Sequence, residues 1–377
     1  MNMVVTPPPL PVEPKPVVFR GDRGVFRRLV TRGAALELVT AGFYRFWLAT
    51  DMRRHLWSQT EVDGDAAEYT GRARELLIGF LIAMAILAPM YVAYFLLGIE
   101  AERWQAFAGT PVFLFFYAFG QFAIYRARRY RLTRTVWRGV RFWMDGSGWA
   151  YSLRATLWGA LVLLTLGLAW PWREAALERY KMRHSYYGDL QGSFVGTGWE
   201  FFKRGWGLWL ASPFMLLLVP APFIYGAFKA IEWKWWVEGL RFGDVRFRSK
   251  LRTDALIGRY WSVVGWSVLA GFVFIVYLAA AIGLYVLLSG AQLDKLFAGG
   301  KLVQAIPVIA IYVIGYLAFV LAVNIVFRVY LLRDIWQRVA ASVAVEHLDA
   351  AANVAAKGEL VSAIGEGIAD GLDVAGF

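Results

Sequence analysis

Cysteine is absent from the 377 residues. Its absence excludes disulfides, thiolate metal sites and cysteine nucleophiles. Histidine is scarce, with His55, His184 and His347 far apart in sequence. No pair has the spacing of a helical zinc motif, so no metal and no cofactor is expected. The chain also lacks a Walker A loop, a GxGxxG loop and a GxSxG elbow, and Ser147 in Asp-Gly-Ser-Gly does not have the elbow spacing. Charge is low as well: Asp, Glu, Lys and Arg make up 18% of residues, against about 25% in soluble domains.

What fills the chain instead is apolar. Hydrophobic residues reach 59%, aromatics 17%, and mean hydropathy is +0.48. This composition excludes disorder and most soluble enzymes and points to a polytopic membrane protein. The net charge of +12 raises nucleic acid as a partner. The cations, however, lie in short segments between apolar runs, where the positive-inside bias puts them. The expected partner is therefore the lipid bilayer, with anionic lipid in view, and not nucleic acid.

A spanning helix needs about 20 apolar residues. Residues 76–98 and 106–125 form one such pair, and 264–288 and 302–327 another. Three weaker segments, 29–44, 155–170 and 205–228, are flanked by arginines on both sides. Either they cross with relaxed charge bias, or each dips in, breaks and returns as an amphipathic helix. Breaks are visible at Thr40-Ala41-Gly42-Phe43, Thr165-Leu166-Gly167-Leu168 and Pro220-Ala221-Pro222. Counting both options, the chain has four to seven spans.

The stretches after the apolar runs resemble one another in five copies, the last degenerate. Each has a break, a helix rich in Arg and Trp, and a turn. Turns are expected at Asp63-Gly64-Asp65, Asp145-Gly146-Ser147, Gly188-Asp189 and Gly243-Asp244, as two-strand hairpins. Arg128, Arg131, Arg134 and Arg138 recur at helical spacing, which predicts one amphipathic helix with a basic stripe. The fold class expected is an all-α polytopic membrane protein carrying short hairpins. Three regions are expected: a proline-rich disordered tail at 1–18, a membrane domain at 19–338 and an Ala/Gly-rich tail at 339–377. From Glu346 onward that tail carries six carboxylates against Lys357.

Candidate lipid or solute contacts follow from chemistry. Glu37 lies within an apolar segment, where a carboxylate is costly. Arg45, Arg53, Arg54, Arg128, Arg131 and Arg134 can reach phosphates, and Trp233 and Trp236 lie in a dense aromatic cluster. Topology anchoring and an aromatic belt account for the same residues.

The run from Thr40 to Gly71 resembles the signature of the bacterial DUF898 (YjgN-like) family. Phe19-Arg20-Gly21-Asp22-Arg23-Gly24 matches its opening, Thr40 to Ala49 its break, and Thr60-Glu61-Val62-Asp63-Gly64 its turn. Gly365 to Asp373 is similar to its tail. The resemblance implies a multipass protein of the bacterial inner membrane and brings no substrate or catalytic residue. A non-enzymatic transport or envelope role is expected, with anionic-lipid binding or membrane organisation as the alternative and a lipid enzyme as a minor one. Both termini are expected in the cytoplasm; the sequence does not fix an oligomeric state.

Overall fold

The computed structural model describes residues 13–102, 109–290 and 302–360. It is built from five successive strand–helix–helix–strand units. In the first, β1 (Lys15–Phe19), α1 (Arg23–Val39), α2 (Arg45–Ser58) and β2 (Thr60–Val62) follow in order. The second holds β3 (Asp65–Tyr69), α3 (Ala73–Glu102), α4 (Gly109–Thr133) and β4 (Thr135–Trp137). The third holds β5 (Val140–Met144), α5 (Gly148–Leu164), α6 (Trp170–Arg183) and β6 (Ser185–Tyr187). The fourth holds β7 (Leu190–Phe194), α7 (Gly198–Ala211), α8 (Ala221–Gly239) and β8 (Leu240–Phe242). In the fifth, β9 (Val245–Ser249) leads into α9 (Ile257–Ser289). Then α10 (Leu302–Phe327) continues through a π-helical stretch, Arg328–Arg333, into α11 (Asp334–Ser342) and β10 (Val343–Glu346).

The ten strands pair antiparallel in a closed ring, with β1 between β10 and β2. This corrects the all-α expectation. The hairpins of three- and five-residue strands were legible one at a time, but an isolated two-stranded hairpin is marginal in water and leaves bare edges. Joining all five into a barrel gives every edge a partner. Alternation then sorts the side chains. Val17, Val62, Phe142, Phe242, Val245, Phe247 and Val345, from strands all round the ring, meet in one apolar cluster. Only the lumen brings them together, so the barrel is filled and is not a water channel.

The units join through two-residue turns. Asp63-Gly64 and Arg138-Gly139 have positive φ at both residues (54° and 86°; 48° and 74°), as in type I′ turns. Gly188 and Gly243 supply the positive φ of the two Gly-Asp turns. The turn expected at Asp145-Gly146-Ser147 is instead the step from β5 into α5. Ser147 caps that helix, accepting from the Ala150 N–H at 3.3 Å. The basic helix expected over 128–138 ends at Thr133; Arg134 follows it and Arg138 occupies the missed turn. A run of arginines at helical spacing had carried the periodicity past a real helix end.

Helix pairs differ in length. Among the described residues, three helices are long and apolar enough to cross a membrane: Ala73–Ala93, Ile257–Ser289 and Ile306–Ser342. The expected span 106–125 is not among them. Residues 103–108 lie outside the described residues, and α4 meets Arg126 soon after Gly109. Units one and three share one break. The Thr40 hydroxyl donates to the Leu36 carbonyl and accepts from the Tyr44 N–H, at 2.8 and 2.9 Å. Thr165 does the same with Leu161 and Ala169, at 2.8 and 3.0 Å. Ala41-Gly42 and Leu166-Gly167 follow with positive φ, ending one helix and starting the next. Since β1 and β2 are neighbours, as are β5 and β6 through the ring, each break sends the chain back to the barrel. In unit four the break comes before Pro220, in the 3₁₀ stretch Ser212–Leu217 and at Leu218, whose φ is 61°.

Strand β1 begins within the stretch read as proline-rich tail. Past β10, residues 348–358 fold back over the barrel mouth. Leu348, Ala351 and Val354 join the lumen cluster, and the Ala355 N–H donates to Asp189 at 3.0 Å. The residues similar to the family tail, 365–373, lie outside the described residues.

Candidate functional site

A dense cluster of paired charges lies where side chains of α4, α6 and α8 meet. On α6, Glu174, Glu178 and Lys181 recur at steps of four and three, one helical face. On α8, Lys229, Glu232 and Trp236 recur at three and four. Arg128 arrives from α4. Glu178 is the hub: Arg128 is 3.3 Å away, Lys181 contacts its other oxygen, and the Trp236 indole donates to it. Arg173 pairs with Glu174, and Lys229 with Glu232 at 2.5 Å.

Burial and charge pull these groups in different directions. Burial raises the Glu174 carboxyl above the ordinary value of 4.5, against Arg173 and Lys181. At Glu178 burial acts the same way, but Lys181 and Arg128 outweigh it and hold the carboxyl low. Burial opposes the charge on Lys181, yet Glu178 raises it; Glu232 does the same for Lys229. The cluster of four cations and three carboxylates is therefore a held, net-positive ionic core.

An apolar cavity of about 300 Å³ adjoins it, between the third and fourth units. Gly167, Trp170, Phe201, Gly205, Trp209 and Phe228 are among its walls. Two of its ring residues touch the ionic core: the Arg173 guanidinium lies 5.0 Å from the Trp170 ring, and the Lys229 ammonium 5.7 Å from Tyr225. The chamber is apolar, and two cations of the ionic core, each paired with a glutamate, stand against its rings.

The residues singled out in the sequence fall in separate places. Arg128 and Trp236 belong to the ionic core; Trp233 packs edge-on to Trp236 at 5.5 Å. Glu37 pairs with Arg328 at 2.9 Å, across from α1 to the π-helical stretch. Arg45 lies 5.3 Å from the rings of both Phe46 and Phe80. Arg53 is buried and reaches the Tyr69 hydroxyl at 3.4 Å, while Arg54 donates to the Gly71 carbonyl at 2.8 Å. Arg134 holds Glu75 at 2.6 Å. Arg131 is on the last turn of α4. Sequence reasoning missed Glu174, Glu178, Lys181, Lys229 and Glu232. Their spacing on α6 and α8 was the available signal, masked by the arginines around them.

Among the described residues no group of three or more His, Cys, Asp or Glu is placed to hold a metal. Asp145 and His184 pair at 2.7 Å, and their backbones are also joined, Asp145 N–H to His184 carbonyl at 3.0 Å, so the pair fastens β5 to the end of α6.

The opening motif has a steric basis that repeats. At Gly21, Gly71 and Gly196 an added Cβ would lie 2.5–2.6 Å from the ring of the residue two before it, Phe19, Tyr69 or Phe194. A strand-ending ring folds over a glycine at the entry to each of these units. No curated protein and no solved structure matches the chain. A family model described as "Bacterial protein of unknown function (DUF898)" matches residues 14–233, which take in the first three units and most of the fourth. The chain belongs to the DUF898 family of bacterial proteins.

Proposed function

We propose that this chain is a multipass protein of the bacterial inner membrane that binds a lipid between its third and fourth helix pairs. The acyl chain occupies the apolar cavity, and an anionic headgroup lies toward Arg173 and Lys229. The observation that carries the reading is the junction of that cavity with the ionic core through Trp170 and Tyr225. The basic connections between helices favour a cytoplasmic barrel and cytoplasmic termini. The role is non-enzymatic, in lipid handling or envelope organisation.

Gly205 offers a clean test. It lines the cavity, and an added Cβ there would meet nothing within 4 Å. Gly205→Leu is expected to fill the chamber and lower the lipid retained by the purified protein several-fold in native mass spectrometry, with the melting temperature unchanged. Equal lipid retention by Gly205→Leu and the parent chain would overturn the reading.

A second reading, solute transport, draws on the broken helices of units one, three and four, since such breaks bring backbone polar groups to a site within the membrane. The filled lumen argues for a path through the helices and not through the barrel.

A further inference from the structure

A second recess lies on the other side of the helix ring, between α1, α9 and α10. Its volume is about 330 Å³. Ile325, Val326 and Val329 form an apolar floor, Trp266 and Tyr330 flank it, and Arg23 and Arg27 stand at its edge. Two of its three walls belong to helices long and apolar enough to cross a membrane, close to where each joins the barrel. On the reading that these helices span a membrane, the recess is continuous with their hydrocarbon-facing surface, and it ends in guanidinium groups with aromatic rings beside them. That order of chemistry, apolar then aromatic then cationic, is the order met across one leaflet.

The charge balance at this end is unequal. Asp334 is buried and serves three arginines: Arg23 at 3.1 Å, Arg259 at 2.9 Å and Arg333 at 2.8 Å. Arg23 also lies 4.5 Å from the Tyr330 ring. The Nε atoms of Arg259 and Arg333 are buried without a hydrogen-bond partner. Arg27 is exposed. Asp22, the N-cap of α1, is a second carboxylate nearby; it accepts from the Val25 N–H at 2.8 Å and attracts Arg333 and Arg28. Three guanidinium groups thus share Asp334, with Asp22 as a second charge acting on Arg333, and among the described residues Arg27 at the rim has no ion pair.

We infer that this recess is a site for the phosphate of an anionic membrane phospholipid, held by Arg27 and Arg23 with one acyl chain along Ile325 and Val326. Asp334 holds Arg23 in place, leaving Arg27 as the group that distinguishes an anionic from a zwitterionic lipid. The site is independent of the cavity between units three and four, and each can fail alone.

The test is a titration of the full chain in detergent with phosphatidylglycerol or phosphatidylcholine, read by native mass spectrometry. Gly205→Leu is the background, so that the other cavity is closed. Phosphatidylglycerol is expected to bind more tightly, and Arg27→Ala to lower that preference about fivefold, the worth of one arginine at an anionic surface. Arg28→Ala, an exposed neighbour that does not line the recess, is expected to leave it unchanged, and Val326→Phe to abolish binding of both lipids. Millimolar inorganic phosphate is expected not to compete. Equal binding of the two lipids, or an Arg27→Ala protein that keeps the full preference, overturns the inference. Displacement of the lipid by inorganic phosphate also overturns it, because the site would then be one for a free anion.

Discussion

His55 lies on α2 with its ring 5.5 Å from Phe26, and its Nε2 is buried without a partner. Burial, reinforced by Arg333, lowers its pKa below the ordinary 6.5. The folded protein therefore resists protonating it more than the unfolded chain does. Stability from this group is present above pH 6.5 and is lost as pH falls through the folded value. Thermal unfolding in detergent is expected to show a melting temperature that declines below that pH, and His55→Gln is expected to flatten the decline. A decline of equal slope in His55→Gln would assign it elsewhere. At this scale the sequence was informative about residue type and poor about partners. Glu37 was singled out as a costly carboxylate in an apolar segment, but nothing near it in sequence pointed to its partner, Arg328, at the far end of the chain. Arg128 and Trp236 were singled out for lipid, while Glu178, which binds both, was not. A pair separated by 50 residues leaves no trace in local spacing.

The helix pair is the element where one residue decides most. Gly42 and Gly167 have φ of 89° and 90°, a region that costs a residue with a Cβ about 1–2 kcal/mol. The chain must turn there to reach its neighbouring strand, so the cost is not avoided by local relaxation. Gly42→Val is expected to lower unfolding stability by about that amount, with an equal effect at Gly167, measured by chemical denaturation in detergent. The breaks themselves were legible because threonine and glycine stand out against an apolar run. Helix ends were less so. Arg134 and Arg138 continue the spacing of α4 but lie beyond it, because the Arg138-Gly139 turn requires positive φ and the preceding strand needs Thr135 to Trp137 extended. Periodicity cannot see a strand of three residues.

For the whole molecule, closure sets a strict geometric condition. All four hairpin turns connect strands of one ring and so emerge from one end of it. Single cysteines at Asp65, Gln191 and Asp244, in a chain with no native cysteine, are expected to react with a membrane-impermeant maleimide from the same side of the membrane. Labelling of any one from the opposite side would be incompatible with the barrel. The five-copy repeat was readable from the recurring breaks and turns, yet the barrel was not. Each hairpin predicts a pair of strands, and nothing within a pair says that β1 will meet β10 more than 300 residues later, as Lys15 does with Val345.

That last pairing has a bearing on biogenesis. Helices enter a bilayer as they are synthesised, but the ring has a gap until its tenth strand exists. Each earlier hairpin therefore waits with an unsatisfied edge, ready to pair with a hairpin from another nascent chain. The order of assembly is then fixed by completion of the polypeptide through Glu346, and the seam between β10 and β1 is where a swapped dimer would form and where a circularly permuted gene would find its natural splice.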